Sequence, residues 1–252
     1  MRQTRLIMGM PVTVEIVGSN IQAEELEPTF AYFVAVDERF STYKRTSEIS
    51  QINRGEIQSH QYSDEMKEIF CLSQQTKTET GGFFDVGPIG RCDPSGIVKG
   101  WAINRAAKQL RQRGYHNFYV DAGGDISADG HNASGQEWRV GIRNPFNPNQ
   151  IVKIIGLSGG GIATSGNYER GEHIYNPKNG WQKASAVASV TVIGPNIYEA
   201  DRFATAAFAI GQAGIGLIER RPGLEAYIIG KDGRATMTTG FEKYVLTPAK
   251  NK

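Results

Sequence analysis

The sequence predicts an α+β fold, with mixed or antiparallel sheets and flanking helices. Strand-like runs crowd the second half of the chain, and most follow one another with no helix between. The helical patterns are few and irregularly placed, which disfavours a regular βαβ array. No repeat, low-complexity block or linker interrupts the 252 residues, so one domain spanning residues 1–252 is expected.

The elements follow in order. Residues 10–17 (MPVTVEIV) alternate and are β-branched, as a strand requires. Residues 23–40 place Leu26, Phe30, Phe33 and Val34 at helical spacing. Residues 41–55 are polar and rich in Ser and Thr, and read as a loop. A helix is expected over 64–78. The segment 80–96 (TGGFFDVGPIGRCDPSG) is punctuated by Gly and Pro. A long helix over 97–113 puts Trp101, Ala102, Ala106 and Leu110 on its apolar side, with Gly114 as its stop. Strands are expected at 116–122, 138–143, 151–158, 184–194 and 224–230, and a further helix at 198–210, ending at Gly211.

Composition narrows the function. Charges balance at 28 − 26 = +2, which argues against a dedicated nucleic-acid binder. No apolar run approaches the ~18 residues of a membrane span, and residues 1–10 lack the pattern of a signal peptide. A cytoplasmic location is expected. Cys71 and Cys92 form no CxxC or zinc pattern and read as reduced thiols. Glycine is in excess, 30 of 252 residues, about 12% against a usual ~7%.

The glycines cluster beside polar side chains. Gly81-Gly82 precede Phe83-Phe84-Asp85, Gly96 and Gly100 bracket Lys99, Gly123-Gly124 precede Asp125, and Gly159 to Gly161 precede Ile162-Ala163-Thr164-Ser165-Gly166. Glycine lets backbone approach a ligand closely, and it serves tight turns equally well. The DPSGIVKG stretch adds a helix N-terminus, which favours anions, and Lys99 adds a positive charge. There is no GxxxxGK[ST] and no GxGxxG after a first strand, which disfavours P-loop and dinucleotide-fold readings.

In YEADRFATAAFAIG (198–211), Asp201 and Thr205 are four apart and share a helical face. A carboxylate and a hydroxyl suit Mg²⁺ held together with phosphate oxygens and water. The helix dipole alone also explains an early acid. Of the four histidines, His173 lies beside a Gly-rich turn and is the candidate for proton transfer.

Taken in order, these signposts resemble the ApbE family of FAD:protein FMN transferases. They are MG (8–9), FSTY (40–43), SEISQIN (47–53), GGFFD (81–85), DPSGIVKGWAINRA (93–106), DAGGDI (121–126), ATSGNYER (163–170), HIYNPKNG (173–180) and ADRFATA (200–206). The resemblance implies an ApbE-like, T-fold-related architecture. It implies a Mg²⁺-dependent enzyme that cleaves FAD, joins FMN through a phosphoester to a Thr or Ser of a target flavoprotein, and releases AMP. On this resemblance, Asp201, Thr205 and the Gly96 carbonyl match the metal site. Tyr43 matches the aromatic against the isoalloxazine ring. Met8, Phe83, Phe84, Asp85, Asp93, Lys99 and Ile174 match FAD-contacting positions, and Gly123, Gly124 and Asp125 are expected at the adenine end. His173 matches a histidine placed to deprotonate the acceptor, and Asp201 is counted with it as catalytic.

The chain departs from the family pattern in places. Arg202 replaces a small residue and is expected to reach solvent or a phosphate. Asp85 and Asp93 are only eight apart, where relatives carry a longer segment, so the chain is shortened there. Two other readings use the same residues: a Mg²⁺-dependent FAD pyrophosphatase, with water in place of the acceptor, and a non-catalytic flavin-binding protein.

Overall fold

Period-2 patterning in the chain builds one large antiparallel sheet with a different layer on each face. The computed structural model describes residues 1–87, 91–166, 174–180, 182–184 and 186–246. It opens with a hairpin, β1 (Arg2–Ile7) and β2 (Met10–Ile16), then a 3₁₀ turn (Ala23–Leu26), α1 (Glu27–Phe40), α2 (Glu48–Asn53), α3 (Asp64–Glu79) and α4 (Ser95–Gln112). Strands β3 (Phe118–Ala122), β4 (Asp125–Asp129), β5 (Trp138–Asn144), β6 (Asn147–Leu157), β7 (Gly161–Gly166), β8 (Tyr175–Asn176), β9 (Gln182–Lys183) and β10 (Val187–Gly194) follow. The chain continues through α5 (Ile197–Ile210), α6 (Gly214–Glu219), β11 (Glu225–Gly230) and β12 (Ala235–Met237). The α+β expectation holds. The main sheet has eight strands in the order β1-β2-β3-β4-β7-β10-β11-β12, and β5-β6 and β8-β9 form two separate hairpins.

Alternate residues of the strands serve the two faces. Val12, Val14, Val120, Val190, Val192, Ala226 and Ile228 join the core beneath α1, α4 and α5. Ile126, Ala128, Ile162, Ile193, Tyr227 and Ile229 face the other way and are covered by Trp138, Val140, Ile142, Ile155 and Leu157 of the β5-β6 hairpin. Burying both faces explains why β10 reads as a nearly continuous apolar run. Helix α5 lies close on the sheet because Gly161 leaves room: a Cβ there would sit 2.3 Å from the backbone nitrogen of Ile197. The glycine cluster at 159–161 therefore seats a helix.

Several elements differ from expectation. The loop at 41–55 contains α2, started by the Ser47 hydroxyl accepting from Ser50 N at 3.2 Å. Strands β1, β4, β7, β8, β9 and β12 and the short helix α6 add to the expected elements. In α1, Val34 is 45% exposed and Val36 is buried in its place. At about 100° per residue, position 34 falls well off the stripe set by Leu26, Phe33 and Phe40. Cys71 and Cys92 are both free. Among the described residues no helix is long and apolar enough to cross a membrane.

Candidate active site

The first two turns of α4 run against α5, and the contact is made by glycine. A Cβ on Gly100 would lie 2.6 Å from the Cβ of Asp201, so any larger residue would push the carboxylate away. With glycine there, Gly100 N donates to Asp201 Oδ2 at 2.7 Å. The α-helical pattern directs that N–H to the carbonyl of Gly96. A carbonyl oxygen has two lone pairs, so the Gly96 oxygen keeps accepting capacity beyond its one helical bond. One turn along α5, the Thr205 methyl lies 3.4 Å from where a Gly96 Cβ would be. Gly96 is thus brought together with Asp201 and Thr205, which lie more than a hundred positions further along the chain.

Lys99 links this pair of helices to the sheet. Its ammonium lies 2.5 Å from Asp125 Oδ2 and 3.8 Å from Asp201 Oδ1. Asp125 starts β4, and its other oxygen accepts from Thr164 N of β7 at 3.0 Å. Both carboxylates are almost wholly buried. Burial pushes the Asp201 carboxyl up from its ordinary value to about 7, the Lys99 ammonium opposes the rise, and the Asp125 charge adds to it. Ionised, the three groups leave one excess negative charge, which suits an incoming cation.

The donor set fits Mg²⁺: a carboxylate, a hydroxyl and a carbonyl with spare capacity, all hard oxygen donors. Among the described residues no group of three or more His, Cys, Asp or Glu side chains gathers at one point. A metal here would need further oxygens from water or substrate phosphate, which is the usual habit of Mg²⁺.

The turn between β3 and β4 is made by Gly123 and Gly124, with φ of +62° and +91°, a conformation that favours glycine in a two-residue hairpin. Asp121 Oδ1 accepts from Gly124 N at 2.8 Å and Tyr119 donates to its other oxygen at 3.0 Å. Burial raises the Asp121 carboxyl above its ordinary value. This turn and β5 bound a cleft of about 250 Å³, lined by Asp121, Gly123, Gly124, Asp125, Arg139 and Arg143 among others. The sequence reading missed Asp121, Thr164 and the two arginines. The D-x-x-G spacing of Asp121 and Gly124 was the available signal for the first.

Other expected residues lie around this centre in different states. The Tyr43 side chain is 97% exposed, so its ring is free to stack. Its loop is tied to the start of α4: Arg91 donates to Thr42 O at 3.0 Å, and Asn53 exchanges two hydrogen bonds with the Cys92 backbone. Asp93 is partly committed, since Oδ1 accepts from Ser95 N at 3.0 Å where α4 begins. Asp85 pairs with Lys77 at 2.6 Å and accepts from Gly87 N. Phe84 is a core residue whose ring packs beside Gly96. Phe83 is half-buried, with the Lys178 ammonium 5.2 Å from its ring centre. Ile174 is buried in the same core. Met8 forms the β1-β2 turn at φ +57°, rare for a non-glycine residue. His173 lies outside the described residues.

The expectation for Arg202 is corrected. It is 4% exposed and reaches neither solvent nor the Lys99 centre. Its guanidinium donates to Glu199 at 2.6 Å, to Thr76 at 3.2 Å and to Glu79. It lies over the rings of Tyr198 and Phe203.

A family model, the ApbE family, matches residues 8–92 and 87–228. The two matched stretches meet where the sequence is expected to be short. A Salmonella typhimurium protein named FAD:protein FMN transferase is 34% identical over 155 residues, covering 58% of this chain and 44% of that protein. A Haemophilus influenzae protein of the same name is 31% identical over 168 residues, covering 62% and 49%. The chain thus spans about half the length of these curated relatives. Among solved structures, the flavin transferase ApbE of Vibrio cholerae superposes with a TM-score of 0.85 at 22% identity, covering 97% of this chain and 98% of that one. The Thermotoga maritima ApbE protein gives 0.87 at 21%, covering 98% and 99%. These superpositions establish the fold.

Proposed function

The chain belongs to the ApbE family, and on that premise we propose that it is a Mg²⁺-dependent FAD:protein FMN transferase. It takes FAD and a flavoprotein carrying an acceptor Thr or Ser, joins FMN to the hydroxyl through a phosphoester, and releases AMP. One observation carries the reading: the buried Asp125–Lys99–Asp201 array set beside Gly96 and Thr205. Two carboxylates buried around one ammonium leave an excess charge that is costly to bury, and a protein that only stored flavin would have no need of it.

Asp201, Thr205 and the Gly96 carbonyl would hold Mg²⁺, which neutralises charge on the diphosphate and orients it. Lys99 sits on the mobile end of a long stem between the two carboxylates, and is placed to shift its charge toward a phosphate as the substrate enters. Asp125 and the Gly123-Gly124 turn would receive the adenosine end of FAD in the cleft beside β5. Tyr43 would stack on the isoalloxazine ring, with Phe83 lining its approach. Phe84 supports the Gly96 backbone from below. His173 would take the proton of the acceptor hydroxyl as it attacks phosphorus. The whole chain acts as one unit in this reading.

The test is incubation with FAD, Mg²⁺ and a candidate acceptor flavoprotein. Flavin fluorescence of the acceptor after denaturing electrophoresis and AMP in solution are the expected results, both lost in Asp201→Ala. AMP without labelled acceptor would mean a pyrophosphatase. Absence of both, with FAD still bound, would mean a flavin-binding protein and would sink the transferase reading.

A further inference from the structure

Arg202 is the charged neighbour of Asp201 that the reaction above does not use. It is among the most deeply buried charged side chains described. Its fork joins α5 to the last turn of α3: Nη2 and Nε go to Glu199 on its own helix, and Nη1 goes to Thr76 and Glu79 on α3. Arg221 donates to the Glu79 backbone carbonyl, so the end of α3 is held from two sides.

From α3 the contacts run back to the metal-ligand candidates. The Thr80 hydroxyl donates to Thr76 O at 2.7 Å and accepts from Phe84 N at 3.1 Å. The Phe84 ring packs beside Gly96, and Gly96 lies against Thr205. The circuit Arg202–Thr76–Thr80–Phe84–Gly96–Thr205 therefore leaves α5 at one residue and returns three residues later. A buried ion network is poorly explained by stability, since apolar side chains of similar volume often do as well. The rigid, multi-donor guanidinium is suited to fixing geometry instead.

We propose that Arg202 is a positioning residue for flavin transfer: by bridging α5 to the end of α3 it closes this circuit and holds Asp201, Thr205 and the Gly96 carbonyl in register with the Thr80–Asp85 segment. The proposal rests on the flavin-transferase reading.

The test uses Arg202→Lys, which keeps the charge but lacks the fork, and Glu79→Gln, which weakens the bridge from the α3 side. AMP release from FAD with Mg²⁺ and an acceptor flavoprotein is measured beside thermal midpoints and amide exchange. Both variants are expected to stay folded. kcat falls about tenfold to a hundredfold, as for a displacement on the order of 1 Å, while KM for FAD stays within about threefold, because the flavin-stacking residues are untouched. Exchange at Phe84 N–H and Gly100 N–H speeds up without a general loss of protection. Wild-type kcat in both variants, a kcat loss matched by KM, or unfolding of both would overturn the proposal. A wild-type protein that releases no AMP would instead overturn the transferase reading, while the exchange measurement still reports on the circuit.

Discussion

Asp201 and Asp125 share one ammonium, and that sharing governs how the centre responds to pH. The folded Asp201 carboxyl titrates near 7 because of burial, against ~3.9 in an unfolded chain. Its contribution to the stability of the metal-free protein is therefore complete below about pH 4 and is lost as pH climbs through about 7. A metal must displace that proton. The half-saturating Mg²⁺ concentration should fall as pH rises through about 7 and level off above it, with proton uptake by buffer visible in calorimetry at pH 6. An affinity that is flat from pH 5 to 9 would remove Asp201 from the ligand set. The Asp201/Thr205 spacing and Lys99 were legible in the sequence, because a four-residue repeat on a helix fixes a shared face. The partners of Lys99 were not, since Asp125 reaches it only through sheet topology. The burial of Arg202 is hidden for a related reason: a charge beside a functional residue reads as solvent- or ligand-facing, and the Glu79 carboxylate that meets it comes from another helix.

Helices α4 and α5 are legible because each carries a long apolar stripe, whereas the buried face of α3 passes from Met66 and Ile69 to Ser73 and Thr76. The short α2 is hidden, since the six residues Glu-Ile-Ser-Gln-Ile-Asn hold too few turns for a period to show. Strands β4 and β7 were masked by the glycines at their ends, which drew attention as possible ligand contacts when one pair makes a hairpin turn and the other cluster seats α5. Caps were the overlooked signal at this level. Ser63 starts α3 by accepting from Met66 N at 3.2 Å, and its hydroxyl donates to Glu48 of α2 at 2.6 Å. One side chain thereby fixes the start of one helix and its angle to another. Ser63→Ala should cost about 1 kcal/mol, the usual value of an N-cap, read as a lowered urea midpoint at unchanged slope. FAD affinity should be unaffected, because neither helix start lines the candidate site. A loss of FAD binding at constant stability would show that α2 takes part in flavin contact through the Tyr43 loop.

The sheet order explains why the site forms only in the complete fold. Strands β4 and β7 are neighbours although the whole β5-β6 hairpin lies between them in sequence, and β10 pairs with β7 although β8 and β9 lie between those two. Asp125 comes from β4, Lys99 from α4 and Asp201 from α5, so three long-range pairings must be in place before the two carboxylates meet one ammonium. Such pairings leave no local trace in sequence, whereas the glycines that permit them do. Substrate bound at that junction favours the folded state as a whole. At a hundredfold excess over Kd, a ligand adds about 2.7 kcal/mol. At about 2–4 °C per kcal/mol for a chain this size, the midpoint should rise by roughly 5–10 °C with FAD and Mg²⁺ together. Asp201→Asn removes the carboxylate charge but keeps the side-chain volume. It should retain the increment due to FAD alone and lose the further increment due to Mg²⁺. If Mg²⁺ still raised the midpoint of Asp201→Asn by the wild-type amount, the cation would be held elsewhere, and the junction of β4, α4 and α5 would not be its site.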